Sequence, residues 1–333
     1  MNVALVAVQL EIDVAVLASG DAYRAHIDDA AACAVEEAGA ADQRFIVFPE
    51  IAGHLALLAT APPRAHSAKS LGAALAVAAV RRPLEVLRGV ASSRTLAPKH
   101  AVLAALAPDG EKYWRSVFGP LARRHAAWVV AGSHLRLSPA GDLTNSSMLF
   151  APDGRCVAMT DKVNLVPGME DAGPGGLGLA RGSAEKLAIV DTPIGRVCTL
   201  ICYDGFSEPH TSLERFVPVG AEIAARGGVM VAANPSANPW YWDEPWPPKK
   251  LAGGLERVPG TRAAQWAREG LPSSLAGVAF ARFGVTAHLV GHVLDLHFDG
   301  CSEILERDEC GVRVIARAKH HDSGGHVVAV VSC

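Results

Sequence analysis

Val3-Ala4-Leu5-Val6-Ala7-Val8 is an unbroken apolar run near the start of the chain. A half-exposed strand alternates apolar with polar residues, so an unbroken run suits a strand covered on both faces. Ser19-Gly20-Asp21 then offers helix-start chemistry. From Tyr23 to Ala38 the pattern is helical, with Tyr23, Ile27, Ala30, Ala34 and Ala38 on one side. Phe45-Ile46-Val47-Phe48 is a second buried strand, stopped by Pro49 and followed by Glu50. Strand, helix, strand at this spacing begins an α/β layered fold. In open α/β sheets ligands bind beyond the carboxyl ends of strands. Glu50 is therefore either a helix-start residue or a base at the sheet edge.

The chain has 333 residues, half of them apolar, with a net charge of −3. That length buries a large core, and α/β folds of this size often form one domain. No basic stripe argues for nucleic acid and no acidic tail for a charged partner. The seven cysteines contain no CxxC pair. An odd, scattered set suits reduced thiols in a cytosol, and a cytoplasmic location is expected. The N-terminus enters a strand-like run without a basic lead, so no signal peptide is expected. No apolar run reaches the roughly 18 residues of a membrane span. The thirteen histidines form no HxxxH pattern, and neither metal nor cofactor is expected.

Residues 54–126 read least clearly. Two helices are expected, at about 68–90 and 112–126, with mostly loop between 91 and 110, and Arg81, Arg82 and Arg88 on a solvated face. Trp128 to Gly132 is a strand ending in Ser133-His134. Asn145 to Phe150 and Arg155 to Met159 are strands joined by a tight Pro152-Asp153-Gly154 turn. Lys162 leaves the end of that second strand; surface exposure is the common fate of a lysine. A third β-branched run, Arg196 to Ile201, stops at Cys202, and Gly205 and Pro209 end regular structure. A cysteine at a strand-to-turn junction is held rigidly, can face a cleft, and can aim the following backbone N–H at a developing oxyanion. The alternative is an ordinary core cysteine.

Taken together, FIVFPE ending in Glu50, NSSMLFAPDGRCVAMTDKVNLVPGME with Lys162 and Glu170, and ICYDGFSEP with Cys202 resemble the nitrilase, or carbon–nitrogen hydrolase, superfamily. The order Glu, Lys, Cys is that family's order. Glu170 falls eight residues after Lys162, as the second glutamate does in many amidase members. Gly228 to Ala237 resembles the family's next strand and loop. The resemblance covers about three quarters of the chain and leaves out 61–110 and the Trp/Pro-rich 239–260 stretch. It implies a four-layer αββα sandwich in a single domain spanning 1–333, with a helical insertion at about 61–110. It also implies pairing across a helical face into an eight-layer assembly, as a homodimer or higher homo-oligomer.

The residue chemistry is consistent with this. A thiol is only slightly ionised at neutral pH and needs a base or a cationic neighbour. Glu50 can take the Cys202 proton and later activate water. Lys162 and the Tyr203 backbone N–H can stabilise the tetrahedral anion. Glu170 can orient Lys162 or position the substrate nitrogen. The expected reaction is hydrolysis of a linear amide or N-carbamoyl compound through a thioester, releasing ammonia or an amine.

The alternatives are nitrile hydrolysis, transfer of the acyl group to an amine, and a non-catalytic binding member. Tyr203-Asp204 resembles the amidase and carbamoylase branch, whereas nitrilases proper usually have Trp-Glu after the cysteine. Many relatives carry a basic residue just beyond the CYD segment. Here Gly205-Phe206-Ser207-Glu208-Pro209 follows, so no carboxylate partner is carried over. Tyr203, Asn234, Trp240 and Trp242 are the candidate substrate-binding residues. The two tryptophans belong to an aromatic stretch, Asn238 to Pro248, that is either an apolar substrate wall or a proline-stiffened surface loop.

Overall fold

The structure is a computed structural model and describes residues 1–80, 83–84, 86–87, 98–173, 175–210, 214–246 and 260–333. The expected arginine face at Arg81, Arg82 and Arg88, and Pro247-Pro248 of the aromatic stretch, lie outside the described residues.

The first strand, β1 (Asn2–Ile12), is the seam of the molecule. After it come α1 (Gly20–Ala38), β2 (Gln43–Val47), α2 (Ala52–Ala59), α3 (Leu71–Ala79), α4 (Pro98–His125), β3 (Trp128–Val130), β4 (His134–Leu137), β5 (Leu143–Phe150) and β6 (Cys156–Asp161). The second half carries β7 (Ile189–Thr192), β8 (Gly195–Thr199), α5 (Val219–Ala225), β9 (Val229–Ala237), the short pair β10 (Pro245–Trp246) and β11 (Gly260–Thr261), α6 (Arg262–Glu269) and α7 (Leu271–Gly277). The chain then runs through β12 (Ala281–Val293), β13 (Leu296–Phe298), β14 (Glu303–Asp308), β15 (Gly311–Arg317) and β16 (Gly325–Ser332).

Strand order is β4-β5-β3-β2-β1-β12-β9-β8-β7. Along Val3–Ala7, β1 pairs parallel with β2, and along Asn2–Gln9 it pairs antiparallel with β16. Its last residues, Leu10–Ile12, pair parallel with β12. One strand thus joins two half-sheets that fold face to face.

The alternation along β1 explains the apolar run. Val3, Leu5 and Ala7 point into the core between the half-sheets, against Val231, Phe283 and Val285. Ala4, Val6 and Val8 point outward beneath α1, α2 and α4, packing with Ile27, Leu55 and Phe118. Across the second half-sheet, Cys198, Leu200 and Ala232 face α5 and α7 through Val219, Ile223, Leu271 and Leu275. The layers are therefore helix, sheet, sheet, helix in one domain. Each fully buried aliphatic or aromatic side chain stabilises this arrangement by about 1.5–3 kcal/mol.

Helix α1 starts as expected, with the Ser19 hydroxyl accepting from the Ala22 N–H; Ala31, rather than Ala30, is its buried residue. Two further readings differ from the structure. The expected loop before 112 is helical from Pro98, and α4 runs through Pro108 and Gly110 to His125. The lack of a side chain at Gly110 is what lets α4 approach α2, since a Cβ there would lie 2.6 Å from the Leu57 Cδ2. The strand read as ending at His134 is two strands, broken at Gly132 with φ +54°.

Candidate active site

Glu50 stands just past β2, where Phe48 N–H bonds the Val130 carbonyl at 2.9 Å. The turn that follows is tied to the next strand: Ile51 N–H donates to the Ser133 hydroxyl (3.1 Å) and Gly53 N–H to the Ser133 carbonyl (2.8 Å). The backbones pack so closely that a Cβ at Gly132 would sit 2.0 Å from the Pro49 carbonyl oxygen. Lys162 follows β6. Its N–H bonds the Asn145 carbonyl at 2.8 Å, which fixes it beside β5. Glu170 lies on the next loop, where its N–H bonds the Val166 carbonyl (3.0 Å) and its own carbonyl accepts from Leu179 (2.8 Å).

Cys202 approaches from the other half-sheet. Leu200 still bonds Ala233 across to β9 (2.8 Å), and a 3₁₀ turn then runs from Cys202 to Gly205. Cys202 has φ +48°, a left-handed conformation that is costly for a residue with a Cβ, and Ile51 beside Glu50 has φ +67°. Both strained residues lie at the point where the two half-sheets meet. Asp204, fully buried, holds the turn: its carboxylate accepts from Val163 N–H (3.1 Å), Asn164 N–H (2.7 Å) and Ile201 N–H (3.3 Å). One side chain thus ties the turn at Cys202 to the segment after Lys162. Asn234 braces it from below, donating to the carbonyls of Leu200 (2.7 Å) and Cys202 (3.1 Å).

The charged groups converge. The Lys162 Nζ donates to Glu50 Oε1 and to Glu170 Oε2, each at 2.7 Å, with Lys162 and Glu50 1–2% exposed. Burial alone would lower the Lys162 pKa, but Glu170 and Glu50 together hold it well above its ordinary value. Burial raises the Glu50 carboxyl against the opposing pull of Lys162. Burial and the Glu50 charge push the Cys202 thiol up. A resting thiolate would be a further buried anion beside the Glu50 carboxylate, which burial disfavours. Both effects favour the thiol form, and its sulfur lies 3.6 Å from the Ala237 carbonyl oxygen, to which it donates. Burial also raises Asp204, to about 7.

Glu50, Lys162, Glu170 and Cys202 line one cavity of about 100 Å³. Ile51, Val166, Met169, Leu177 and Leu179 form an aliphatic wall, and Tyr203, Phe206 and Trp240 an aromatic one. Of the candidate binding residues, Tyr203 and Trp240 are at this cavity. Asn234 is fully buried under the turn and does not line it. Trp242 does not line it either. Its N–H is held by Asp299 (3.1 Å) and its ring packs near His288 (5.4 Å), lining a separate pocket.

Sequence reasoning missed several residues. Asn145 donates from one amide nitrogen to Glu50 Oε1 (2.9 Å) and Glu170 Oε1 (3.0 Å). His54 lines the cavity, and burial, with the nearby charges, lowers its pKa to about 3, so the ring is neutral. Arg262 also reaches the cavity, stacked 3.9 Å from the Trp246 ring centre and bonded through Nε to Asn238 (2.8 Å). An aromatic residue following a cysteine was a usable signal; Asn145 opens a quoted motif and His54 lies four residues past Glu50, but nothing in the pattern marked either as a site residue, and Arg262 lies far from the motifs.

A folded pair of half-sheets with a buried glutamate, lysine and cysteine at their meeting edge defines the class. Residues 7–252 match the family model described as carbon–nitrogen hydrolase, and the chain belongs to that family. A double mutant of the amidase from Nesterenkonia sp. AN1 in complex with acrylamide shares the fold, with a TM-score of 0.57 and 17% identity over 100% of this chain and 90% of that one. So does a mutant of the same amidase showing Michael addition of acrylamide at its active site cysteine, with a TM-score of 0.57 and 18% identity over 100% and 93%. A crystal structure of an amidase from Nesterenkonia sp. has a TM-score of 0.57 and 17% identity over 99% and 90%. A search of curated proteins finds no match. Among the described residues no helix is long and apolar enough to cross a membrane.

Proposed function

We propose that the chain hydrolyses a linear amide or N-carbamoyl compound through a thioester on Cys202. The carrying observation is that Glu50 and Lys162, buried and 2.7 Å apart, line the same small cavity as Cys202. The thiol sulfur attacks the carbonyl carbon while Glu50 takes its proton. The tetrahedral oxyanion is stabilised by the Lys162 ammonium and the Tyr203 backbone N–H. Collapse breaks the C–N bond, and Glu50 returns its proton to the leaving nitrogen. Water then attacks the thioester with Glu50 as base, releasing the acid and regenerating the thiol. Glu170 keeps Lys162 charged and oriented.

The acyl group is small and apolar in this reading, because one wall of the cavity is aliphatic and the other aromatic. Asp204 is fully buried against backbone and cannot read the substrate, so its presence after the cysteine is a matter of turn stability. A cytoplasmic location, assembly into a homodimer or higher homo-oligomer, and the status of 61–110 as an insertion belong to the same proposal; light scattering of the purified chain tests the assembly.

The direct test is intact-protein mass spectrometry after brief mixing with amides, N-carbamoyl compounds and nitriles, with and without an added amine. Ammonia release is followed in parallel, and Cys202→Ala is the control. An acyl adduct on the parent alone, with acid as product, supports the reading. Nitriles alone turning over, or amide products appearing only with added amine, would replace it. Turnover by Cys202→Ala would remove the mechanism.

A further inference from the structure

We infer that Asn145 is a positioning residue that sets the proton affinity of Glu50 and selects which of its oxygens meets the thiol. This rests on the reading of Glu50 as the base. Asn145 is fully buried at the start of β5. Its single amide nitrogen bridges the two carboxylates, 2.9 Å from Glu50 Oε1 and 3.0 Å from Glu170 Oε1. Lys162 bridges the same pair, through Glu50 Oε1 and Glu170 Oε2. The four groups form a closed ring of charge-assisted hydrogen bonds, with acidic and donor groups alternating.

Two consequences follow from the atoms used. Both donors on Glu50 fall on Oε1, and among the described residues no backbone or nitrogen donor reaches Oε2. Glu50 and Cys202 line the same cavity, so Oε2 is the oxygen left to receive the thiol proton. The orientation of the Asn145 amide is also determined. Turned over, it would present its carbonyl oxygen to two carboxylates; as it stands, that oxygen is buried without a hydrogen-bond partner. An amide that leaves its acceptor unsatisfied in order to donate to two anions is held by those anions.

A hydrogen bond donated to a carboxylate favours its ionised form. Asn145 therefore offsets part of the burial that raises Glu50, and keeps the base ionised at a lower pH than burial and the Glu170 charge would permit. Unlike a second lysine, it does so without adding charge that would draw the proton off Cys202 in the resting state.

The test uses iodoacetamide, because alkylation of Cys202 needs the same proton transfer and no knowledge of the substrate. The rate at Cys202, resolved from the other cysteines by peptide mapping, is measured against pH for the parent, Glu50→Gln, Asn145→Ala and the near-isosteric Asn145→Leu. The parent profile has an acidic limb that Glu50→Gln abolishes. In the Asn145 variants that limb moves upward by about one pH unit, so alkylation below it slows about tenfold. A merely structural role would lower the melting temperature and leave the limb in place. A folded Asn145 variant whose limb coincides with the parent's overturns the assignment, as does failure of both variants to fold. If Glu50→Gln keeps the limb, it is the assignment of Glu50 as base that fails, and the two failures are distinguishable.

Discussion

Replacing Lys162 with methionine removes a charge and keeps most of the stem. Lys162 is 1% exposed and is the only cation bonded to both Glu50 and Glu170 among the described residues. Without it the buried Glu50 carboxylate faces the partly buried Glu170 carboxylate. Breaking a buried ion pair by removing one partner costs about 3–5 kcal/mol. That cost depends on pH in a defined direction. Burial raises Glu50 in the parent and Lys162 opposes the rise, so the variant carboxyl is raised further. A carboxyl whose folded pKa exceeds its unfolded value, about 4.3, keeps a proton that the unfolded chain has released. Stability relative to the parent is therefore nearly intact below about pH 4.3 and is lost as pH rises towards the raised folded value. Urea denaturation of parent and Lys162→Met at pH 5 and pH 8 reads this directly. The expected loss is several kcal/mol at pH 8 and clearly less at pH 5. Turnover should fall by about 10²–10³ through loss of oxyanion stabilisation. An equal loss at both pH values, or a loss below about 1 kcal/mol at pH 8, would show that Lys162 does not hold the two carboxylates as described. Turnover within tenfold of the parent would remove its role in the reaction.

Cys202→Ala should abolish turnover and keep the fold, with circular dichroism and melting temperature close to the parent, because a small buried thiol is exchanged for a methyl. The kcat/KM of the parent should fall as pH falls through the raised Glu50 pKa, giving an acidic limb above the ordinary carboxylate value of about 4.3; a limb at or below 4 contradicts Glu50 as the base. Gly132→Ala should destabilise by about 2–5 kcal/mol and slow turnover, since its Cβ meets the Pro49 carbonyl at 2.0 Å beside Glu50; an unchanged melting temperature contradicts it. Trp240→Ala should raise KM for the best substrate several-fold, because Trp240 lines the cavity, while Trp242→Ala should act mainly on stability; the reverse pattern in a steady-state and thermal-melt comparison contradicts the placement.

Glu50, Lys162 and Cys202 were legible because each ends a strand whose apolar pattern is strong, and the sheet brings strand ends to one edge. Asn145 carries no such mark. Its partners lie 95 and 25 residues away, so its donor role exists only once β5 is paired with β6. Asn234 was placed near the site for the right reason, its position on the strand after Cys202, but its amide is spent on the carbonyls of Leu200 and Cys202. Helix α4 was misread over 98–110 because Pro108 and Gly110 are helix breakers in isolation. Tertiary packing against α2 overrides that propensity, and Gly110 serves close approach there. Trp242 shows the limit of reading a run of aromatics as one surface: a backbone bond to Asp299 turns it away from Trp240.

The division of the site between the half-sheets bears on how the chemistry is controlled. Glu50 follows β2, Asn145 lies on β5 and Lys162 follows β6 in one half, and Cys202 follows β8 in the other. Glu50 and the hydrogen-bonded ring around it are thus assembled independently of Cys202. What brings them together is the core between the half-sheets, the pairing of β1 with β12, and the Asp204 carboxylate bonded to the backbone of Val163 and Asn164. Asp204 is the only one of these contacts that reaches from the cysteine turn itself to the lysine segment through a side chain. Its pKa of about 7 follows from full burial opposed by those N–H donors. The neutral acid can keep an acceptor oxygen on the Asn164 N–H, so the tie between the Cys202 turn and the segment after Lys162 persists whether or not Asp204 carries its proton. The strained φ of Cys202 has the same source: the turn is fastened at both ends, by Asp204 above and Asn234 below, and the backbone between them accepts the cost.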